Sequence, residues 1–462
     1  MERAISTWKQ LLLAASSTIF NMLNKIIFIL VFCCFFENTH AQKITYYEHI
    51  APIIRSKCAP CHRPGEAGPF SLLTYADVAK RTSFIKEVVE SGFMPPWKPD
   101  NHYRMFANDR SLTADEKKTI INWIDNNAPE GIDKYKNTPT EQLITGTLFN
   151  RKPDLILKVS KPFQVKGDNE ERFIVFKIPF EMASAKNVSA IEFVSTNKKV
   201  IHHANFAIHP VSDDVDINQA ADFVNLTDDL RTNYDQYLPF KKEMIYYGGW
   251  IPGTSFESYP ADLGWVMPKR GVILLTIHYA PVAKNEEDIS GINFFFKNTP
   301  IKRVVDVVSL GSGGVGESSI DPYFMIQADS VKKFNLKILT PQDQSLLYIW
   351  PHMHLLGKDF KSYAVTAAGD TIKLISIPSW DFRWQEIYRF KKLIKVPKGS
   401  VLTIEGTYDN TKNNPNNPNN PPRMVFSAND MKSTDEMLTM LLVFLKYEDG
   451  DEYKLLDTQT SP

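Results

Sequence analysis

Two short stretches of the chain place metal-ligating residue types at spacings that suit a haem or a metal ion. The stretch CAPCH, residues 58–62, is a C-x-x-C-H pattern, in which two thiols bond a porphyrin covalently and the adjacent histidine binds its iron. The stretch PHMH, residues 351–354, carries two of the chain's ten histidines one residue apart. Alternate residues of a regular β-strand share a face, so His352 and His354 would form a two-point chelate.

The first stretch has three chemical interpretations: covalent haem, a redox disulfide of the thioredoxin kind, and half of a zinc site. A zinc site needs further thiolates, which the chain lacks once a signal peptide is removed, although histidines can complete one. A thioredoxin motif needs a βαβ setting, whereas the residues around CAPCH predict helix. We therefore predict one haem c attached to Cys58 and Cys61, with His62 as an axial ligand.

A second axial ligand is expected further along the chain. Met94, in GFMPPWKP, is the best candidate, because the residue before a proline is held extended on a loop that can present a thioether. Met105 and His102 are the alternatives, and the ordinary role of any single methionine is to fill a core. A His/Met pair raises the potential of the iron and suits it to electron transfer.

Six histidines follow in a β-rich region: His202, His203, His209, His278, His352 and His354. A regular strand sends adjacent residues to opposite faces, so His202 and His203 can share a metal only at a bulge or through different ring nitrogens. Histidine suits copper, zinc or iron, whereas an added methionine selects Cu(I). Met437, in STDEMLTM, would complete such a site together with the two histidines of PHMH.

The length and the net charge of the chain limit the classes of protein to which it can belong. The 462 residues have room for about three domains, and 43% apolar residues suffice for filled cores. Lys plus Arg and Asp plus Glu both number 53, so no basic field is available to bind nucleic acid.

The N-terminus predicts export. Lys25 precedes the eleven-residue apolar run IIFILVFCCFF, and residues 1–41 are predicted to be a signal peptide cleaved after Ala41. The run is shorter than the roughly 20 residues of a membrane-spanning helix, so we expect no transmembrane span after cleavage; the alternative is a retained anchor. Cleavage leaves only Cys58 and Cys61, so no framework of structural disulfides can form. Export with haem c predicts a periplasmic or secreted protein.

The distribution of helix-like and strand-like patterns along the chain predicts three domains. Residues 42–135 predict helices, including one over SLTADEKKTIINWIDNNAP with Ser111 or Thr113 as its N-cap. Residues 136–150 predict a linker. Beyond it, short β-rich runs such as RFIVFKIPF, GVILLTIHYAPV and MLTMLLVFLKY recur between turn residues, which is typical of antiparallel sandwiches. The predicted fold is a small all-α domain followed by two all-β sandwich domains, at residues 151–300 and 301–455.

These segments resemble known proteins. The first is similar to a small cytochrome c domain at CAPCH, MPPW and LTADEKKTIINWI. From about residue 150 to 450 the chain resembles the ascorbate-dependent copper type II monooxygenases, the family of peptidylglycine α-hydroxylating monooxygenase and dopamine β-hydroxylase. The matching stretches, in the order of the family, are VIHHANFAIH, WIPGTSFESYP, LLTIHYAP, PHMHLLGK, GTYDN and STDEM.

The resemblance implies two copper ions on two jelly-roll-like sandwiches that face a solvent-filled cleft. His202, His203 and His278 would hold the electron-storing copper. The two histidines of PHMH and Met437 would hold the copper that binds O2 and abstracts hydrogen from substrate carbon. The implied reaction is hydroxylation of a C–H bond in a small substrate, with two electrons from ascorbate or another donor.

The chain departs from the family in two respects. Vertebrate members are rich in disulfides, which this chain cannot be. Peptide-hydroxylating members have an arginine two residues before the first histidine of the HxH motif, and here that residue is Trp350, which favours an apolar or aromatic substrate over peptidylglycine. His209 is expected to be structural, and the aromatic stretch SWDFRWQ, residues 379–385, is expected in the core or at a rim. Met431 and Met440 are alternative ligands to Met437.

Fusion of the two parts predicts a built-in electron supply. We expect electrons to pass through the haem to the three-histidine copper and then to the O2-binding copper, although flow from copper to haem stays open. Two other functions are compatible with the residues. One is a non-enzymatic electron-transfer or copper-binding protein of the cell envelope, and the other is a zinc hydrolase, for which the chain offers no HExxH helix.

Overall fold

The structure, a computed structural model, describes residues 43–133, 152–227, 234–254, 257–259, 262–427 and 434–454. The predicted signal peptide, the predicted linker and Met431 lie outside them. Residues from Tyr46 onward form one compact unit. The described part is mostly β-sheet with few helices, which confirms this aspect of the predicted fold class. None of its helices has the length and apolarity to cross a membrane.

The helices lie in residues 46–125, here called the helical segment. A π-helical turn at Tyr46–Ile50 leads into α1 (Ala51–Lys57), and α2 (Tyr75–Ala79), α3 (Thr82–Glu90) and α4 (Ala114–Asp125) follow. Thr113 caps α4: its hydroxyl accepts the N–H of Glu116, whose carboxylate accepts the N–H of Thr113. This capping box confirms Thr113 as the predicted N-cap.

Strands up to residue 304 pair with one another and form the first sheet group. They are β1 (Leu155–Lys158), β2 (Phe163–Val165), β3 (Arg172–Glu181), β4 (Lys186–Ser195), β5 (Ile201–Pro210), β6 (Phe223–Asn225), β7 (Tyr246–Trp250), β8 (Glu257–Ser258), β9 (Leu263–Met267), β10 (Arg270–Tyr279), β11 (Glu286–Asp288), β12 (Ser290–Lys297) and β13 (Arg303–Val304). One sheet has the order β1-β12-β4-β9-β13, with β8 on β4, and the other has the order β6-β3-β10-β5-β7. Strands β2 and β11 form a separate ribbon.

Strands from residue 306 onward form the second sheet group. They are β14 (Asp306–Gly311), β15 (Met325–Ile326), β16 (Val331–Leu339), β17 (Gln344–His352), β18 (Gly357–Val365), β19 (Thr371–Ile377), β20 (Tyr388–Val396), β21 (Val401–Asp409), β22 (Val425–Phe426) and β23 (Thr439–Lys446). The two larger sheets have the orders β14-β23-β17-β20 and β16-β21-β18-β19, and β15 pairs with β22. Short 3₁₀ helices lie at Lys198–Val200, Tyr234–Phe240, Glu317–Ser319 and Asp451–Tyr453.

Strand β17 separates two hydrophobic cores. Leu346 and Ile349 lie in the core of the second sheet group, whereas Tyr348 and Trp350 lie in the core that the first sheet group builds. Residues two apart on a strand share a face, so His352 continues the face of Trp350. The end of β17 therefore directs His352 toward the first sheet group.

The helical segment is fastened to both sheet groups by buried polar contacts. Lys198 of the first group donates to Glu66 at 3.0 Å, and both side chains are buried. Arg110 pairs with Glu386 of the second group. Phe106 also forms an isolated antiparallel bridge to Phe390 on β20. These contacts fix the CAPCH stretch relative to the strands that carry the histidines.

Candidate metal centres

A β-bulge brings the first three histidines together. Strands β5 and β10 are antiparallel neighbours that pair His203 with His278 and Ile201 with Tyr279. The register skips His202, which is therefore the extra residue of a bulge. The bulge turns His202 to the same side as its neighbour, and the three rings converge. Of the two arrangements under which adjacent histidines can share a metal, the structure has the bulge.

The ring nitrogens of this three-histidine cluster are arranged to receive a cation. One ligand atom from each residue lies within 4.8 Å of the others. His278 Nε2 donates to the Glu171 carboxylate at 2.7 Å, so Nδ1 keeps its lone pair, and this Nδ1 lies 3.2 Å from His202 Nδ1. Phe173 stacks on the His278 ring with 4.0 Å between ring centroids. A second partner on the far ring nitrogen is how proteins orient histidine ligands.

Burial keeps the imidazoles of His202 and His203 neutral. Removal from water, together with the neighbouring His278 ring, lowers the pKa of His202 to about 4. The same two causes hold the pKa of His203 well below its ordinary value. Neutral imidazole is the form that binds metal, so the cluster is ready to coordinate near neutral pH.

Only the first histidine of the PHMH pair lies on strand β17. The strand ends at His352, and a turn follows in which the N–H of Gly357 donates to the carbonyl of His354. The prediction that both histidines lie on one regular strand is therefore wrong for His354. The pair still forms, with ring centroids 4.9 Å apart.

The two rings of this pair aim lone pairs at each other. His352 Nδ1 donates to the side-chain oxygen of Gln385, and His354 Nδ1 donates to the carbonyl of Asp435 at 3.0 Å. Each Nε2 is then an acceptor, yet the two Nε2 atoms are 3.1 Å apart. Burial lowers the pKa of His352 to about 4 and that of His354 to about 3, so no proton bridges them near neutral pH. A shared cation would satisfy two lone pairs that face each other in this way.

Glu436 joins the histidine turn to Met437. Its fully buried carboxylate accepts the N–H of His354 at 2.9 Å and that of Leu356 at 2.6 Å, and the N–H of Met437 lies 3.4 Å away. Met437 precedes β23, the neighbour of β17, by two residues, and its carbonyl accepts from Tyr408 at 2.7 Å. Glu436 therefore links the backbone of Met437 to the turn that carries His354, and the binding of the Met437 sulfur to a metal stays a prediction.

The alternative ligand Met440 has another role. Its side chain is fully buried in the core of the second sheet group, and in the register of β17 and β23 it lies opposite Pro351. His209 likewise lies outside the clusters: it is buried, and its Nδ1 donates to the carbonyl of Glu243 at 2.7 Å.

The segment from residue 379 to 387, between β19 and β20, contacts both histidine groups. The Phe382 ring lies with centroid distances of 5.5, 6.3 and 6.0 Å from His202, His203 and His278, and 5.7 Å from His354. It therefore separates the two candidate metal sites. Residues 379–385 of this segment are predicted from the sequence to lie in the core or at a rim, and their aromatic side chains are a signal of a role at the site.

Trp350 packs in the hydrophobic core and does not line the His352–His354 site. Its ring is 5% exposed and lies against Gly249 on β7, where an added Cβ would collide with the indole. Tyr247 is its aromatic neighbour, with centroids 6.1 Å apart. The apolar side chain that faces the histidines is Phe382, so the expected preference for an apolar substrate now depends on a different residue.

The CAPCH stretch follows α1 with both thiols free. His62 Nδ1 donates to the carbonyl of Phe70 at 3.1 Å, which leaves its Nε2 as the ligand atom. Burial raises the pKa of Cys58 to about 12 and also raises that of Cys61. Neither thiol is therefore tuned for redox exchange, which needs a lowered pKa. Free, half-buried thiols beside an oriented histidine fit a covalently attached haem.

Apolar side chains near this stretch are open to solvent. Phe84 on α3 and Phe93 beside Met94 are 50% and 39% exposed, and such rings suit contact with a porphyrin face. Met94 is half-buried on the loop after α3. The alternatives His102 and Met105 are exposed. The pairing of Met94 with His62 stays a prediction.

Comparison with known proteins adds no family. No family model and no curated protein matches the chain. Among solved structures, it is similar to PNGF-II with 7% identity and a TM-score of 0.27, over 64% of this chain and 66% of that one. A second match, the VP2 subviral particle of infectious bursal disease virus, has 10% identity and a TM-score of 0.15 over 64% and 79% of the two chains. Such loose superpositions carry no inference about fold or function.

Proposed function

We propose that this protein is an exported, haem- and copper-containing monooxygenase that hydroxylates a C–H bond of a small apolar substrate with O2. The proposal is supported above all by the facing Nε2 lone pairs of His352 and His354. It is further supported by the adjacent three-histidine cluster, because two separate imidazole sites fit a reaction that needs two electrons. The proposal includes a periplasmic or secreted location.

The donor set favours copper over zinc. Imidazole suits either metal, but a thioether selects Cu(I), and Met437 is tied by Glu436 to the turn that carries His354. Among the described residues, the two carboxylates that contact the histidine groups already have partners: Glu171 is engaged with His278, and Glu436 is engaged with backbone N–H groups. The proposal therefore assigns one copper to each histidine group.

The protein residues have distinct roles in this proposal. Copper, when bound, supplies electron storage at the three-histidine cluster and O2 chemistry at the His352–His354 pair. The protein orients each ring through a second hydrogen-bond partner and keeps the rings neutral by burial. Phe382 is an apolar wall between the sites, which excludes water and favours an apolar substrate.

The helical segment is proposed to be a cytochrome c domain that supplies electrons. Cys61 lies against Gly253, where an added Cβ would meet both the Cys61 sulfur and the Arg110 guanidinium. Gly253 follows β7, whose residue Trp250 pairs with Ala204, the neighbour of His203. A haem bonded to Cys61 would therefore lie close to the strand that carries the three-histidine cluster.

The test of this proposal is O2 consumption by the copper- and haem-loaded protein with ascorbate and a panel of small apolar substrates. We expect one atom of ¹⁸O from ¹⁸O2 in the product, and a loss of at least a hundredfold in His354→Gln. His209→Gln is the matched control, because His209 lies outside both clusters, and it should retain activity.

Two results would contradict the proposal. Reduction of copper without ¹⁸O incorporation into any substrate would favour the electron-transfer protein, and activity with zinc alone would favour the hydrolase. The haem assignment has its own test in stopped-flow spectra of Cys58→Ser/Cys61→Ser. Copper reduction at the wild-type rate in that variant would exclude the haem as electron donor.

A further inference from the structure

Gln385 contacts both His352 and the segment that separates the metal sites. Its side chain is 3% exposed, and its amide nitrogen donates to the carbonyl of Phe382 at 2.9 Å. Its side-chain oxygen accepts from His352 Nδ1. The oxygen and the nitrogen of this amide therefore both form hydrogen bonds. Gln385 is 33 residues away from His352 in the sequence.

These two contacts fix the orientation of the amide. A backbone carbonyl is only an acceptor, so the group facing Phe382 must be the NH2, and the oxygen must face His352. An oxygen in that position requires a proton on His352 Nδ1. The tautomer of His352 is thus set by Gln385, and the lone pair on Nε2 is directed to the side where His354 Nε2 lies at 3.1 Å.

The backbone that carries Gln385 is held by the helical segment. Arg110 pairs with Glu386, the next residue, and Asn108 Nδ2 donates to Glu386 at 3.1 Å and to the carbonyl of Ile387 at 2.8 Å. On the other side, Lys98 pairs with Asp381 at 3.4 Å. Buried, charge-assisted contacts of this kind lock the segment in place. Gln385 therefore contacts His352 from a fixed support.

We propose that Gln385 is a positioning residue for the O2-binding copper, acting by holding His352 in the Nδ1–H tautomer with Nε2 toward the metal. This inference rests on the proposed function, since it concerns the same site. It adds that the helical segment, through Arg110 and Asn108, supports the geometry of that site as well as supplying electrons. The amide of Gln385 also donates to the carbonyl of Phe382, whose ring faces the proposed substrate. Gln385 therefore positions both the Phe382 ring and the His352 ligand.

The experiment uses Gln385→Leu, Gln385→Glu and the control Gln344→Leu, in which a buried glutamine at the opposite end of β17 is changed. One measurement is the Cu(I) affinity of each site, obtained by competition with a chromophoric chelator. A second is the tautomer of His352 in the metal-free protein, read from ¹⁵N-histidine NMR and assigned with His352→Gln.

We expect Gln385→Leu to weaken Cu(I) binding at the His352 site by about 10- to 100-fold and to leave the three-histidine site unchanged. The NMR spectrum of that variant should show loss of the single Nδ1–H tautomer. Gln385→Glu retains an acceptor for Nδ1 and should restore both the tautomer and most of the affinity. Gln344→Leu should match the wild type.

Failure of the inference and failure of the proposed function give different results. An unchanged tautomer and unchanged Cu(I) affinity in Gln385→Leu would overturn the positioning role while copper binding by the wild type still stands. Absence of copper from the wild-type His352 site would overturn the proposed function, and the NMR measurement would still decide whether Gln385 sets the tautomer.

Discussion

His352 and His354 have their outer ring nitrogens committed to Gln385 and to the carbonyl of Asp435, and this commitment gives the pair its chemistry. Neutral rings held this way present two lone pairs 3.1 Å apart. In a pair of histidines with only a structural role, the N–H of one ring would instead donate to the lone pair of the other ring. His209 also donates to a backbone carbonyl, but it lies outside both clusters. The facing lone pairs therefore distinguish the proposed ligands from His209.

Met437 and Met440 give a matched test at the residue scale. Met437→Ala should remove the soft ligand, so we expect Cu(I) binding at the His352 site to fall by at least tenfold with little change in thermal stability. Met440→Ala empties a fully buried position and should lower the free energy of unfolding by about 2–5 kcal/mol while copper binding persists. Chelator competition measures the Cu(I) affinity of both variants, and thermal denaturation measures their stability. Equal losses of Cu(I) affinity in the two variants would refute the assignment of Met437.

At the scale of elements, periodicity was sufficient to predict the strands. The runs RFIVFKIPF, GVILLTIHYAPV and MLTMLLVFLKY form β3, β10 and β23. The N-cap at Thr113 was also predictable, because a capping box is a local pattern. These features depend on residues close in sequence, and their physical causes are local.

The features that complete the site depend on contacts between distant residues. The bulge at His202 arises from the register of β5 against β10, which the sequence of either strand alone does not specify. Gln385 lies on an irregular segment, and Glu436 is identified only by the backbone N–H groups that it accepts. The proposed ligand residues are therefore visible in sequence patterns, whereas the residues that orient them are not.

Asp451 links the two sheet groups and gives a prediction about acid stability. It is fully buried and accepts two bonds from Arg303 of β13, at 2.8 and 2.7 Å, and one from Ser345 of β17 at 2.6 Å. Although burial opposes it, these bonds hold the pKa of Asp451 well below its ordinary 3.8. A carboxylate with a lowered pKa stabilises the fold above about pH 4, and this contribution is lost as the pH falls below that value.

We therefore expect Asp451→Asn to lower the free energy of unfolding by about 3 kcal/mol at pH 7. The difference from the wild type should shrink as the pH falls below 4, because the unfolded wild-type chain then takes up a proton at Asp451 that the native state does not bind. Urea denaturation of both proteins between pH 3 and pH 7 measures this. A difference that stays constant over the whole range would contradict the assigned role of the carboxylate.

At the scale of the whole molecule, the helical segment and both sheet groups meet around the histidines. Glu66 joins Lys198 just before β5, and Arg110 joins Glu386 beside Gln385. Lys198 is close in sequence to His202, and Glu386 follows Gln385, which accepts a hydrogen bond from His352. Each histidine group is therefore linked to the helical segment, an arrangement that fits the proposed electron supply, in a chain that has no disulfide among its described residues.

The central claim is that the chain holds one copper ion at each histidine group. Anomalous X-ray diffraction from crystals of the exported protein, collected on both sides of the copper absorption edge, tests it most directly. We expect two copper peaks, one among His202, His203 and His278 and one between His352 and His354, together with an iron peak beside His62. A signal at the zinc edge in their place, or no copper peak at His352 and His354, would contradict the account.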